Sequence, residues 1–306
     1  MNAITPIPWD GQKIGKPCVV DGMPIEFYHG ASTLGPGISS SGLRTIESRS
    51  PAHYWAMSYL NQDRRPQPPK SHFDFGKAAH TLLLGEPGFR EQFAIRPDEF
   101  PDYRTKAAQE WRAAQQLAGK TVLTVEDLEA IRGIAKSMEA HALIQSGILN
   151  GAVEQSIFWK DDPTGVWLRA RPDVIPTADG VVADLKTTTD ASPDEVRRTI
   201  DNNGYAMQGA LIGAGMKAVM NMEMTDFVLV FVEKTAPYAV NVVPVDPEWI
   251  YWAARQIRRA IDTFARCIET GTWPAYEGER TVSMPEYRRK RLEAEAKHGL
   301  LPEIAA

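Results

Sequence analysis

Two neighbouring stretches, VWLRARPDVI (166–175) and GVVADLKT (180–187), decide the reading of this chain. The first alternates apolar and polar residues, the pattern of a half-buried strand. In the second, Val181, Val182 and Ala183 form the apolar body of a strand that continues into Asp184-Leu185-Lys186. The two-residue period of a strand puts Asp184 and Lys186 on one face and turns Leu185 the other way, into the core. Just upstream, VEQSIFWK (153–160) reads as a third strand. A turn containing Asp161, Asp162, Pro163 and Gly165 joins it to 166–175, which predicts an antiparallel pair. Asp179-Gly180 marks the next turn.

Outward from these strands the pattern becomes helical. Upstream, SSSGLRTIE begins a short helix with serines as caps, and SPAHYWAMSYL begins another with Ser50 as cap and Pro51 in the first turn. QDRRPQPPK (62–70) is a loop. FDFGKAAHTLLLG follows as a helix with Phe75, Ala79, Leu82 and Leu83 on one face and His80 beside it. Residues 105–118 read as a polar helix, and Thr124 with Asp127 opens a further one carrying Leu128, Ile131, Ile134 and Met138 at helical spacing.

Downstream, Ser192, Pro193 and Glu195 start a helix, and YAMQGALIGAGM (205–216) is a second. FVLVFVEK (227–234) and AVNVVPV (239–245) are strands. A long helix over 247–268 carries Trp249, Trp252, Ile257, Ile261, Phe264 and Ile268; its tryptophans and phenylalanine are expected in the core, with an aromatic stacking role for one of them as the alternative. The order predicts an α/β protein, with a mixed central β-sheet flanked by helices behind a helical N-terminal region. Residues 1–38 are expected as an irregular arm with one short hairpin. Residues 39–275 form a single domain, helical over 39–150 and with the chemistry over 151–275, and 276–306 form a charged tail helix.

With 306 residues and 43% hydrophobic content the chain can bury a sizeable core. Its two cysteines, Cys18 and Cys267, belong to no paired motif, which argues against a disulfide framework or a structural zinc site. MNAITPIPWDGQK has no basic start followed by an apolar run, and no window is apolar enough to span a membrane, so a cytoplasmic protein without membrane contact is expected. The net charge of −5 argues weakly against nucleic-acid binding. Charge is uneven, however. Arg44, Arg49, Arg64, Arg65, Lys70 and Lys77 outnumber Glu47, Asp63 and Asp74 over 41–80. Arg280, Arg288, Arg289, Lys290 and Arg291 face only Glu286 over 280–291. Phosphate contacts depend on such local patches.

Acidic groups mark three successive strand segments: Glu154 at the start of the first, Asp173 near the end of the second, Asp184 in the third. A carboxylate beside a lysine inside a sheet is costly unless the charges are used. If Asp173 and Asp184 converge they need a cation, and Mg²⁺ suits carboxylate, carbonyl and water oxygens. Lys186 has two roles open to it: to orient or deprotonate an attacking water, or to neutralise charge on a phosphate. Tyr205 and Gln208, at i and i+3 of the following helix, share a face that can lean over the site. His80 offers a nitrogen to a metal or a donor to a phosphate.

Arg171-Pro172-Asp173 followed by Asp184-Leu185-Lys186 resembles the PD-(D/E)xK nuclease superfamily. More narrowly, the ordered segments SSGLRTIESRSPAHYW, FGKAAHTLLL, RPDVI, VVADLKTT and YAMQGALI resemble the RecE-type exodeoxyribonuclease VIII catalytic domain of phages and prophages, over roughly 39–275. The resemblance implies a restriction-endonuclease-like core. It implies Asp173, Asp184, the Leu185 carbonyl and His80 as metal ligands, with Lys186 as the catalytic lysine. Glu154 would assist metal or water, and Tyr205 and Gln208 would complete the catalytic set. It implies Mg²⁺, with Mn²⁺ substituting, and 5′–3′ digestion of linear double-stranded DNA from its ends to leave 3′ single strands for recombination. A ring-like homo-oligomer, a trimer or tetramer, and a single-strand annealing partner also follow from it. Other metal-dependent endonucleases or single-strand exonucleases of the same fold, a catalytically silent DNA-binding protein, and a hydrolase of small phosphoesters are the alternatives. Two cysteines are too few for the iron–sulfur branch of these nucleases.

Overall fold

The computed structural model describes residues 5–65, 71–85, 89–176, 180–276, 281–302 and 304. Asp179 of the expected turn, residues 66–70 of the expected loop and Arg280 of the second basic patch lie outside them, as does the side chain of Asp74. The N-terminal half runs β1 (Ile7–Pro8), β2 (Cys18–Asp21), α1 (Ile25–His29), β3 (Gly37–Ser39), α2 (Ser40–Ser48), α3 (Pro51–Met57), α4 (Ser71–Leu83), α5 (Phe89–Gln92) and β4 (Phe93–Ile95). Next come α6 (Lys106–Leu117), β5 (Thr121–Leu123), α7 (Val125–Glu139) and α8 (Ala142–Gln145). The C-terminal half is β6 (Gly151–Val153), β7 (Ser156–Lys160), β8 (Trp167–Ala170), β9 (Val174–Pro176), β10 (Val181–Thr188), α9 (Pro193–Asn203), α10 (Tyr205–Met220), β11 (Asp226–Glu233), β12 (Val240–Pro244), α11 (Pro247–Thr270) and α12 (Glu286–Lys297).

The strands form two mixed sheets, in the orders β1-β2-β7-β8-β3 and β10-β11-β12, with the short pairs β4-β5 and β6-β9 beside them. β10 runs parallel to β11, with Asp184 opposite Leu229 and Lys186 opposite Phe231, and β12 returns antiparallel. One face of this sheet, carrying Val182, Phe227, Leu229 and Phe231, belongs to a core shared with Leu211 and Met216 of α10 and Ile257 and Phe264 of α11. The opposite face, with Leu185, Val230 and Val232, packs on Ile134 and Met138 of α7. Burial on both faces explains why 227–232 is continuously apolar rather than alternating. Each fully buried phenylalanine there contributes about 1.5–3 kcal/mol.

α10 bridges the two sheets because it is built of small residues. A Cβ on Gly209 would lie 2.5 Å from Phe227 Cδ1 of one sheet, and a Cβ on Gly215 would lie 2.6 Å from Trp159 Cζ3 of the other. Larger residues at either position would force the helix off the core.

The start signals are realised as cap bonds at α3 and α7, whereas Ser39 and Ser192 sit at the N-cap positions of α2 and α9 without a side-chain cap bond. Ser50 accepts from the His53 amide at the head of α3, and Thr124 and Asp127 form a reciprocal capping box at the head of α7. The antiparallel pair is also present, as β7 with β8. Both of its strands are broken, however. The expected strand 153–160 divides into β6 and β7 at Glu154, whose φ is +52°, and 166–175 divides into β8 and β9 around Pro172. Proline has no N–H to give a ladder, so Pro172 sits where pairing stops. β6 then pairs with β9, apart from the larger sheet, and the Glu154 amide donates to the Asp173 carbonyl at 3.0 Å.

The first 38 residues are not an irregular arm with a hairpin. β1 and β2 are parallel, β2 pairs with β7, and β3 pairs parallel to β8, so this stretch supplies both flanks of the five-stranded sheet. Arg169 of β8 and Arg171, just past its end, anchor it. Arg169 donates to the Gly30 carbonyl at 2.8 Å and the Ser32 hydroxyl at 2.6 Å, and Arg171 donates to the Met23 carbonyl at 2.7 Å. Strands of two to four residues among Gly and Pro carry too little period to be seen in sequence.

Trp252 also departs from its expected place in the core. The buried stripe of α11 is Ala253, Ile257, Ala260, Ile261, Phe264 and Cys267, and Trp252 falls just beside it, exposed. α12 buries no residue. No helix among the described residues is long and apolar enough to cross a membrane.

Candidate metal centre

β10 presents Asp184 and Lys186 side by side toward α10, while Leu185 turns to α7, as the strand period requires. The Lys186 ammonium is ion-paired with Asp184 Oδ2. The same ammonium lies 4.8 Å from the centre of the Tyr205 ring. Gln208 Nε2 donates to the other Asp184 oxygen at 2.6 Å. Tyr205 and Gln208 thus reach the same ion pair from one face of α10, as their spacing predicts. Asp184 is 0% exposed. Burial opposes the charge on Lys186, but Asp184 and then Asp173 outweigh it, and its pKa is raised. The side chain is therefore a cation at neutral pH.

Asp173 stands just beyond the break between β8 and β9. Its Oδ2 accepts the Leu185 amide at 2.6 Å, which ties the broken strand to the free edge of β10. In an extended strand the N–H and C=O of one residue point to the same edge, so the Leu185 carbonyl faces the Asp173 side as well. α4 packs against β10 and brings His80 Nδ1 to 3.5 Å from Asp173 Oδ2. The left-handed backbone at Glu154, uncommon for a residue with a side chain, turns its carboxylate to the same place. One ligand atom each from His80, Glu154 and Asp173 lie within 4.8 Å of one another.

The structure thus brings all eight sequence-predicted positions into one neighbourhood, in two parts. His80, Glu154 and Asp173 form a compact donor set, with the Leu185 backbone at its edge. Asp184, assigned by resemblance to the ligands, has both oxygens facing protein groups, Gln208 and Lys186. Glu154 is the more immediate third donor.

Two carboxylates and an imidazole, partly screened from water, are a chemically apt donor set for a divalent cation. Asp173 shows the need for one. Burial first, and then the neighbouring Asp184, push its pKa up to about 6, against the opposing pull of His80, Lys186 and the Leu185 amide. A metal must displace that proton. Apparent affinity for Mn²⁺ or Mg²⁺ is expected to rise about 10-fold per pH unit toward about 6 and to flatten above it. Calorimetric titration in buffers of different ionisation enthalpy checks this by counting the proton released. Affinity that is flat from pH 5 to 8 would contradict the placement of Asp173 among the ligands. The same shift acts on folding. The native carboxylate binds its proton more tightly than the unfolded one, so the stabilisation it contributes in acid is lost as pH rises through about 6.

Arg44, one of the first basic patch but not singled out from sequence, also reaches this site. Its guanidinium lies 5.7 Å from the centre of the Tyr205 ring and donates to the Asn203 carbonyl at 2.6 Å. Burial lowers its pKa, with Tyr205 and Asp184 acting in the opposite direction. Nothing in the sequence of α2 distinguishes it from a solvated arginine.

Fold and site together define an α/β protein with a candidate divalent-metal centre beside a buried Asp–Lys pair. Residues 39–283 match the family described as PDDEXK-like domain of unknown function (DUF3799), and the chain belongs to that family. A crystal structure from Eubacterium rectale, named "Putative exonuclease", is similar in fold at a TM-score of 0.54 and 12% identity, over 81% of this chain and 89% of that one. A phage related exonuclease from Haemophilus somnus 129PT aligns over 64% of this chain and 95% of its own at 14% identity. Its TM-score of 0.27 is too low to bear on the fold. No curated protein matches the chain.

Proposed function

We propose that this protein is a divalent-metal-dependent deoxyribonuclease that digests linear double-stranded DNA 5′–3′ from its ends and leaves 3′ single strands for recombination. The observation that carries the nuclease reading is the convergence of His80, Glu154 and Asp173 beside the Asp184–Lys186 pair. Membership of a PDDEXK-like family supports it. Exonuclease action, its direction, a ring-like trimer or tetramer and a single-strand annealing partner rest on the resemblance to RecE-type domains.

Mg²⁺, or Mn²⁺ in its place, would be held by His80, Glu154 and Asp173, with Asp184 and the Leu185 carbonyl at hand. Bound there it would polarise a phosphate oxygen and make its own water more acidic. The protein's part is electrostatic and positional. Lys186, held as a cation by its neighbours, meets negative charge as it develops on the phosphate, so charge neutralisation rather than proton abstraction is its ground-state role. Gln208 fixes one Asp184 oxygen, and the Tyr205 ring limits where the lysine can go. Asp173, kept in place by the Leu185 amide, releases its proton as the site loads.

The test offers linear and covalently closed duplexes of one sequence with Mg²⁺. Linear DNA labelled at either end is expected to lose its 5′ label first, with the circle degraded at least 100-fold more slowly. Comparable rates on the circle would remove the exonuclease reading in favour of an endonuclease. Degradation of single strands alone would point to a single-strand exonuclease, and no cleavage of any DNA to a silent binding protein.

A further inference from the structure

We infer that the groove between α2, the α9–α10 turn and α11 binds single-stranded DNA, with a backbone phosphate at Arg44 and a base stacked on Trp252. The groove is lined by Arg44, Ser48, Asp201, Asn203, Trp249 and Gln256. The Tyr205 ring links it to the metal centre, since the Arg44 guanidinium lies 5.7 Å and the Lys186 ammonium 4.8 Å from the ring centre. Trp252 follows Trp249 by three residues and precedes Gln256 by four, so all three share a face of α11 and the ring continues the groove outward.

Aromatics this exposed have no packing reason to be there. Trp252 is 52% and Tyr251 57% exposed, on the helix whose Ile257, Ile261 and Phe264 are in the core. They are held in place rather than loose. Arg255 lies 5.3 Å from the centre of the Trp252 ring and 3.5 Å from the Tyr251 hydroxyl, and the Trp252 indole donates to Glu248 at 3.4 Å. Arg255 and the Tyr251 ring, 5.3 Å away and edge-on, flank the indole, and its remaining half-exposed surface is what a ligand would meet.

Two arginines without an ion pair among the described residues give a polyanion cations to meet here, beside the carboxylates of Asp201 and Glu248. On the same helix Arg258 is paired with Asp161 and Asp262, and Arg259 with Glu47. Arg255 and Arg44 make no ion pair among the described residues, and Arg44 Nε is buried with no acceptor. Aromatic faces interleaved with unpaired cations and amide side chains suit unstacked bases on a phosphate backbone, irrespective of sequence. A duplex keeps its base faces stacked and cannot use them. The inference deepens the nuclease reading and rests on it for its biological sense, since a strand in this groove would run past Lys186.

Fluorescence anisotropy of labelled oligo-dT with the full chain in EDTA, where no cleavage occurs, isolates the groove from catalysis. Trp252→Ala is expected to weaken oligo-dT binding about 10-fold and leave blunt duplex binding within about 2-fold, and Trp252→Phe is expected to restore most of the loss. Oligo-dT bound equally by wild type and Trp252→Ala would overturn the inference. So would a change in subunit assembly by light scattering with oligo-dT affinity intact, which would make the patch a protein interface. Cleavage of linear duplex by wild type is scored separately. Activity with no effect of Trp252→Ala leaves the nuclease and removes the groove. A Trp252-dependent oligo-dT affinity with no cleavage leaves the groove and removes the nuclease.

Discussion

Lys186→Ala is expected to slow DNA cleavage by about 10³-fold while leaving duplex affinity within about 3-fold. Among the described residues the ammonium is the cation ion-paired with Asp184, and its pKa is raised, so it is charged when substrate arrives. A preorganised charge of this kind acts mainly where negative charge develops, so its loss falls on the rate rather than on binding. The variant carries a second signature. Removing one partner of a buried ion pair leaves the other charge uncompensated, which typically costs about 3–5 kcal/mol. Asp184 is fully buried, with Gln208 as its remaining donor. A divalent cation bound nearby offsets part of that cost, so Mn²⁺ should raise the melting temperature of Lys186→Ala more than that of wild type. Rates on end-labelled duplex and melting curves with and without Mn²⁺ check both parts. Equal cleavage by the two proteins would rule out the assigned role of Lys186.

Asp173→Asn is expected to lose activity and gain stability. As a metal ligand its loss should weaken Mn²⁺ binding by at least 10–100-fold, the loss typical even of residues that only support ligands, and cleavage should fall at least as far. Asparagine still offers an oxygen to the Leu185 amide, so the tie between β9 and β10 survives. What disappears is a buried carboxylate whose pKa has been pushed to about 6 by burial and by Asp184. Keeping it ionised near pH 8 costs the metal-free fold up to about 3 kcal/mol. The metal-free variant should therefore be the more stable protein at pH 8, with the advantage shrinking as pH falls below about 6. Urea unfolding at pH 5 and pH 8 measures this. A variant equally destabilised at both would show that Asp173 serves packing rather than a site. Such opposition of stability and activity is expected where a carboxylate is kept for function.

Much of the site was legible because its signals are local. Period two on β10 placed Asp184, Leu185 and Lys186 correctly, and spacing on α10 placed Tyr205 with Gln208. His80 and Glu154 stood out as a nitrogen donor and an acidic strand start, but their place in one site rested on the ordered resemblance, since a helix histidine and a strand-start glutamate have no spacing that joins them. Arg44 was invisible as a site residue, because what distinguishes it is a ring and a carbonyl more than 150 positions away. The N-terminal strands were missed for a related reason. Each is two to four residues long, and what makes them strands is the ladder offered by β7 and β8.

By itself the sequence determined the α/β order, most helix starts, the core faces of the long elements apart from Trp252, and the Asp–Lys pair on one face of a buried strand. These follow from backbone stereochemistry and side-chain period within a single element. Only the tertiary structure decided how the metal centre is made. The paired breaks at Glu154 and Pro172 turn a continuous hairpin into a corner. That corner sets Glu154 beside Asp173, ties Asp173 to the Leu185 amide and leaves room for His80 from α4. A break of this kind depends on which strand each half can pair with, and that partner is chosen by packing across the whole chain.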